Sequence, residues 1–243
     1  MKLLIVRHGD PDYAKDSMTE KGWREARYLS ERLIKMGIDD FYVSPLGRAR
    51  ATASFTLDRL GQTAEVKDWL QEFPARIQEP SRPGEQKIAW DWLPEDWTKE
   101  ERFYQADHWF EVENMRKGYV KELYDQVAAG LDEILARHGY VREGNYYRTD
   151  QGNTDTVALF CHFGVECVML SHLLHISPMP LWHGSCALPS SVTTLVTEER
   201  RKGIASFRML SFGDLSHLYV HGEVPAFAAR FCEVYENENE RHD

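Results

Sequence analysis

The sequence predicts an α/β fold: a three-layer sandwich in which a mainly parallel sheet of about six strands is covered by helices. Three observations predict it. Short apolar runs read as buried strands, amphipathic runs of helical period lie between them, and glycine or Ser-Pro punctuation marks where one gives way to the other. With 243 residues the chain is long enough for one such domain, read here as residues 1–243.

The elements follow in order. Leu3-Leu4-Ile5-Val6 reads as a buried strand ending in Arg7-His8-Gly9, with glycine allowing a sharp turn. Thr19 is the expected N-cap of a first helix, with Met18 set to pack on Trp23, and Trp23, Ala26, Leu29 and Leu33 recur at helical spacing. Phe41-Tyr42-Val43 makes a second strand. Ser44-Pro45 then reads as a helix start, Ser44 at the N-cap and Pro45 at the first helical position; Ala49, Ala53, Leu57 and Leu60 continue one face. Residues 64–70 offer a third strand.

Residues 71–113 differ in character. They hold Trp90, Trp92, Trp97 and Trp109, four prolines, 11 acidic and 5 basic residues, without a clean period. This stretch reads as an aromatic-rich cap insertion over about 73–113, set into a core of about 1–72 and 114–220. A long amphipathic helix is expected over 114–138, from Met115 through Leu135. A polar loop to about 154 follows, then a buried strand Thr156–Cys161, the tripeptide His162-Phe163-Gly164 and a helical pattern over 165–174. Strand-like runs near 191–197 and 205–211 complete the core. The charged end from Glu236 to Asp243 is expected to fray.

A hydrophobic fraction of 42% and a charged fraction of 28% are those of an ordinary globular protein. A net charge of −10 argues against nucleic acid and anionic membrane as partners, because both are bound through clustered Lys and Arg. The first apolar run is too short for a signal-peptide core and no run is long enough to span a bilayer, so a cytoplasmic location is expected. Cys161, Cys167, Cys186 and Cys232 form no C-x-x-C pair and are expected to be reduced. Nothing in the sequence specifies an oligomeric state.

Three predicted strand ends carry chemistry: Arg7-His8-Gly9, Ser44-Pro-Leu-Gly-Arg48 and His162-Phe-Gly164. In an open α/β sheet the crevice at the carboxyl ends of the strands binds ligands. The second and third ends lead into helix N-termini, whose N–H groups and dipole favour an anion. Two arginines and two histidines there would make a phosphate pocket, since arginine presents planar, permanently charged donors.

Arg7-His8-Gly9, then Ser44-x-Leu46-x-Arg48-Ala49-x-x-Thr52-Ala53, then Leu70-x-Glu72, then His162 after a strand, resemble the histidine phosphatase superfamily, which includes the cofactor-dependent phosphoglycerate mutases. The resemblance covers roughly residues 1–72 and 155–215. It implies a phosphoglycerate mutase-like fold and a phosphatase acting on a small phosphomonoester with no metal and no cofactor. It implies further that His8 is the nucleophile that becomes phosphorylated, with Arg7, Arg48 and His162 holding the phosphoryl oxygens. Glu72 matches the family's Leu-x-Glu element and is the implied general acid and base; Glu79 and Asp68 compete with it. Gly9, Ser44 and the N–H of Phe163 complete the expected phosphate-binding set, Ser44 being equally readable as a helix cap.

The chemistry agrees with the resemblance. Phosphoryl transfer needs an in-line nucleophile and cations around the equatorial oxygens. His8 must attack as neutral imidazole, and neighbouring arginines disfavour its protonation. Two departures matter. Many members follow Arg-His-Gly with x-Thr-x-x-Asn, where this chain has Pro11 and Ala14, so two phosphate contacts are lost. The mutases carry Tyr-Gly-x-Leu-x-Gly after the acid, where this chain reads Phe73-Pro-Ala-Arg-Ile-Gln. A phosphoglycerate mutase-type transferase is therefore the runner-up, and a phospholigand-binding module without turnover the third reading.

Other residues read more plainly. His172, His175 and His183 lie in Leu-rich surroundings with no fourth ligand and read as ordinary histidines rather than a zinc site. His217 reads as structural. The tryptophans of the insertion either glue it to the scaffold or line a pocket for the leaving group. The insertion's acidic excess favours a phosphomonoester whose remainder is neutral or cationic.

Overall fold

The chain is described by a computed structural model, with every residue except Ser81, Pro83, Ala229 and Asp243 placed. Strand β1 (Lys2–Arg7) runs through the middle of the sheet because both its faces are apolar. Leu3 and Ile5 enter one hydrophobic cluster, and Leu4 and Val6 enter the other. The remaining strands of the main sheet are β2 (Asp40–Val43), β3 (Glu65–Val66), β4 (Val141–Glu143), β5 (Tyr146–Arg148), β6 (Thr156–Cys161), β7 (Val192–Arg201) and β8 (Ile204–Asp214). They lie in the order β3-β2-β6-β1-β7-β8-β5-β4. The half from β3 to β1 is parallel and the half beyond β1 is antiparallel.

Helices α1 (Glu20–Leu33) and α2 (Gly47–Leu60) cover one face, where Leu29, Leu33, Ala49 and Ala53 pack on Leu4, Val6, Phe41 and Phe160. Helices α3 (Val120–Arg137) and α4 (Phe163–Leu174), with α5 (Pro178–Gly184), build the other face around Leu131, Leu135 and Val168. The sandwich is three-layered, as the alternating pattern predicts.

Register is what positions the site. Arg7 pairs with Cys161, Phe160 with Val43, and Val43 with Val66. The four parallel strands therefore finish together, and His8, Ser44, Lys67 and His162 all emerge at one edge.

The structure departs from the sequence expectations at six places. The polar stretch before residue 154 holds the β4–β5 hairpin, which enlarges the sheet to eight strands. The third strand shrinks to Glu65–Val66, with a 3-10 turn at Asp68–Leu70. The helix expected over 114–138 is broken into Glu113–Lys117 and α3, because Gly118 lies against backbone where a Cβ would come within 2.4 Å of the Arg76 carbonyl oxygen, and Tyr119 follows in the left-handed region. Thr19 does cap α1, accepting from the N–H of Gly22, but Trp23 packs edge-on against Phe55 of α2. Helix α2 starts at Gly47 rather than at Pro45. The C-terminal segment folds back, with the N–H of Cys232 donating to the carbonyl of Arg241; Asp243 lies outside the described residues.

The insertion contributes a hairpin, Arg76–Gln78 with Gln86–Ile88, and several short helical turns. Its Phe103 and Trp109 are 1% exposed and join the core beside α3 and α4. These two rings anchor the segment.

Candidate active site

His8 is buried at the end of β1, and the geometry fixes its tautomer. Its Nδ1 is 2.7 Å from the carbonyl oxygen of Gly9, which can only accept, so Nδ1 carries the hydrogen and Nε2 presents a lone pair. Burial first, then the charges of Arg7 and Arg48, push its pKa well below the usual histidine range. Gly9 cannot be larger: a Cβ there would stand 2.8 Å from the carbonyl oxygen of Gly22. Its N–H donates to Thr52 Oγ1 at 2.9 Å, and the Thr52 hydroxyl donates to the carbonyl of Arg48, which ties the β1 tip to α2.

Arg48 comes from the first turn of α2. Its Nε–H reaches His8 Nε2 at 3.4 Å and its Nη1 lies 2.8 Å from Asp16 Oδ1. The other carboxylate oxygen of Asp16 accepts the N–H of Gly47 at 2.6 Å. Asp16 thus aims Arg48. It sits in the left-handed region with φ of 44°, a conformation that Asp adopts more readily than most residues. Sequence reading passed over it because only the folded turn at 11–18 brings it to α2.

Arg7 is buried, with Nη1 donating to the carbonyl of Ala187 and its guanidinium 5.6 Å from the Phe163 ring centroid. Its Nε has no partner among the described residues. His162 is fully buried, and its ring lies 5.0 Å from that of His8. Ser44 Oγ is 2.8 Å from His162 Nε2 and accepts the N–H of Leu46 at 3.2 Å. With the hydroxyl donating to Nε2, the hydrogen of His162 stands on Nδ1. That nitrogen, too, has no partner among the described residues. Burial, then His8, Arg48 and Arg7, hold His162 neutral by lowering its pKa. Ser44 therefore does not cap α2, whose N-cap is Leu46; its hydroxyl meets His162.

Glu72 follows β3 and reaches across to α4. Its Oε1 accepts the N–H of Phe73 at 2.9 Å and that of Val165 at 3.3 Å, leaving Oε2 for a proton. Burial raises its pKa, while Arg7, the Phe73 N–H and Arg48 pull the other way. Gly164 makes this approach possible: a Cβ there would be 2.7 Å from Glu72 Oε1 and 2.8 Å from Trp90 Nε1. The competitors lie elsewhere. Glu79 pairs with Lys87 at 2.8 Å in the insertion hairpin, and Asp68 is exposed at the head of a 3-10 turn.

Phe163 takes the first position of α4, where a helix has no internal partner for the N–H, while its ring packs edge-on to Trp90. A second carboxyl went unnoticed in the sequence. Glu166, one turn into α4, accepts from the Thr193 hydroxyl at 2.5 Å, and burial pushes its pKa up to about 7. It sits in what the sequence shows only as an apolar helical run.

The remaining histidines disperse. His172 pairs with Asp132, His175 caps α4 in the left-handed region, and His183 lies between Met179 and Trp92. Among the described residues no cluster of three His, Cys, Asp or Glu is arranged to hold a metal. His217 is buried against Ser190, and burial pushes its pKa down to about 4. No described helix is long and apolar enough to cross a membrane.

The family model described as histidine phosphatase superfamily (branch 1) matches residues 3–209. The search of curated proteins found no match. Among solved structures, the phosphoserine phosphatase of Entamoeba histolytica in complex with 3-phosphoglyceric acid aligns at a TM-score of 0.58 and 17% identity, covering 89% of this chain and 98% of that one. A mycobacterial glucosyl-3-phosphoglycerate phosphatase bound to inorganic phosphate aligns at 0.58 and 18% identity, with coverage of 89% and 98%. At these identities the likeness establishes the fold.

Proposed function

The chain belongs to the histidine phosphatase superfamily, branch 1, and from that premise we propose that it hydrolyses a small phosphomonoester through a phosphohistidine at His8. One observation carries the reading. Two buried nitrogens, Arg7 Nε and His162 Nδ1, have no partner among the described residues, and both side chains belong to the cluster around His8: the His162 ring lies 5.0 Å from the His8 ring, and the Arg7 charge acts on His8. Buried donors are normally satisfied, and a phosphoryl group bound in line with Nε2 would satisfy both. The names of the aligned structures, both phosphatases, agree with this reading.

In the proposed cycle, His8 Nε2 attacks phosphorus and the bond to the leaving oxygen breaks. Glu72, whose pKa burial raises, gives that oxygen its proton. Arg7 and Arg48 balance the charge on the equatorial oxygens, neutral His162 donates a hydrogen bond to them, and the first-turn N–H groups of α4 add their dipoles. Glu72, now a carboxylate, takes a proton from water, which attacks the phosphohistidine and releases inorganic phosphate. The departure from the mutase pattern after Glu72 favours hydrolysis over transfer between two hydroxyls.

The test is a panel of phosphomonoesters assayed for phosphate release, with acid-labile, alkali-stable phosphoprotein measured in parallel. Wild type should form it, and His8→Ala should lose both label and turnover by about 10³-fold or more. Full turnover in His8→Ala would overturn the reading. Isomerisation of phosphoglycerate without net phosphate release would replace hydrolase by mutase.

A further inference from the structure

A cavity of about 760 Å³ opens beside the phosphate pocket, between the insertion and α5. It shares Phe163 with the catalytic edge, the same ring whose face carries the Arg7 guanidinium. Trp90 forms the partition: its indole lies against the Gly164 backbone, as Glu72 Oε1 does, and edge-on to Phe163, and it also lines the cavity. A leaving group that departs past Glu72 therefore departs toward this cavity.

Rings form much of the inner wall, and the charged residues Glu79, Arg82, Glu85, Lys87, Asp91 and Arg230 also line the cavity. Trp90, Trp92 and Trp182 line it, and each indole N–H is already spent on a backbone carbonyl, of Phe73, Ala89 and Gly164 respectively. His183 is likewise spent, accepting from the N–H of Trp92 and donating to the carbonyl of Met179, so it shows only its ring, on which Trp97 stacks at 5.1 Å. The cations of the rim are engaged by acids: Lys87 with Glu79 at 2.8 Å, Arg82 with Glu85 at 3.5 Å, and Arg230 with Glu233 at 3.1 Å. Such a pocket rewards an apolar, planar group and offers little to a carboxylate or a second phosphate.

We propose that this cavity is the leaving-group site and that the substrate is a phosphomonoester of an alcohol bearing an aromatic ring and no further negative charge. The proposal rests on the phosphatase reading above. It sharpens that reading from any small phosphomonoester to ring-bearing ones.

The test compares 2-naphthylmethyl phosphate with phosphoserine and propyl phosphate. All three leave as alkoxides, so differences report the pocket rather than a good leaving group. Wild type should favour the naphthylmethyl ester in kcat/KM by about tenfold or more over either. Trp97→Ala should lower that value about tenfold while changing propyl phosphate less than twofold. Leu93→Lys, at an exposed rim position, should cut the preference over phosphoserine from both directions. Equal rates on the three esters, or equal losses on all of them in the variants, would overturn the proposal and leave the phosphatase reading standing. Binding of naphthylmethylphosphonate, which cannot turn over, separates the two failures. Tight binding weakened by Trp97→Ala without hydrolysis of any ester would retain the pocket and remove the phosphatase reading, whereas binding no tighter than propylphosphonate would remove the pocket.

Discussion

Arg48 Nε lies 3.4 Å from His8 Nε2, on the lone pair that the proposed chemistry uses. The guanidinium is held there by Asp16, so the cation proposed to receive the phosphoryl oxygens and the nitrogen proposed to attack phosphorus are set against each other by a residue outside the family motif. An incoming phosphoryl group exchanges this contact for one to its own oxygens.

Removing the clamp should loosen Arg48 without touching the nucleophile. Asp16→Ala is expected to lower kcat/KM about tenfold, the scale of a lost hydrogen bond to a charged group, and to weaken vanadate binding in parallel. Asp16→Asn keeps an acceptor and tolerates the left-handed backbone, so it should recover part of the loss. Steady-state kinetics of the three proteins decide it: if Ala and Asn behave alike, Asp16 is only part of a turn.

Glu72 is expected to act on the leaving oxygen, which makes its effect depend on that oxygen's basicity. Glu72→Gln should cost about 10²–10⁴-fold in kcat on an alkyl phosphate, and far less on p-nitrophenyl phosphate, whose phenolate leaves unaided. Glu166→Gln, buried one turn further along α4, should show no such dependence. An equal loss on both esters in Glu72→Gln would reassign the proton donor.

Gly22 of α1, packed against the turn that follows β1, carries a steric prediction. A Cβ at Gly22 would fall 2.3 Å from the Asp10 carbonyl oxygen and 2.9 Å from its nitrogen, both backbone atoms with nowhere to retreat. Gly22→Ala should therefore destabilise by about 1–3 kcal/mol or more, as overpacking does, and should also reduce activity by displacing the Gly9 turn. Gly61→Ala is a control in open space, with φ of 63°; it should cost only the left-handed strain of about 1–2 kcal/mol and leave activity alone. Thermal melts and kinetics on the pair test whether the loss of activity follows the clash or merely the loss of stability.

How much of this was legible in the sequence depended on how local each signal is. The strand tips were readable because Leu3–Val6 and Thr156–Cys161 are apolar on both faces and end abruptly in Arg7-His8 and His162. The start of α2 was misplaced because Ser44-Pro45 has the composition of a cap, yet the Ser44 hydroxyl is taken by His162, a residue 118 positions away. The β4–β5 hairpin escaped because Val141 and Arg148 are exposed and only Tyr147 is buried, so no alternation shows. Asp16 and Glu166 escaped for a related reason. Each is an isolated carboxylate whose partner is brought to it by tertiary structure.

Glu25 supplies a test of the fold's pH dependence, and its sign follows from burial. It sits on α1 with no exposed surface; one oxygen, Oε2, accepts the Asp10 N–H at 2.9 Å and the other has no partner among the described residues. Burial is the largest effect on it and pushes its pKa from 4.5 up to about 7, against the pull of the Asp10 N–H. The folded state thus binds this proton more tightly than the unfolded chain does. Its contribution to stability is full below pH 4.5 and is lost as pH rises through 7. With each tenfold gain in proton affinity worth about 1.4 kcal/mol, the loss is about 3 kcal/mol. Glu25→Gln keeps a carbonyl oxygen for the Asp10 N–H and cannot ionise, so the stability of the variant relative to wild type should climb by about that amount between pH 5 and pH 8 in urea titrations. Glu166 titrates in the same window, but it is present in both proteins and cancels in the difference. A flat difference curve, or one that climbs toward acid, would mean that Glu25 is already ionised in the folded protein and that the Asp10 N–H outweighs its burial.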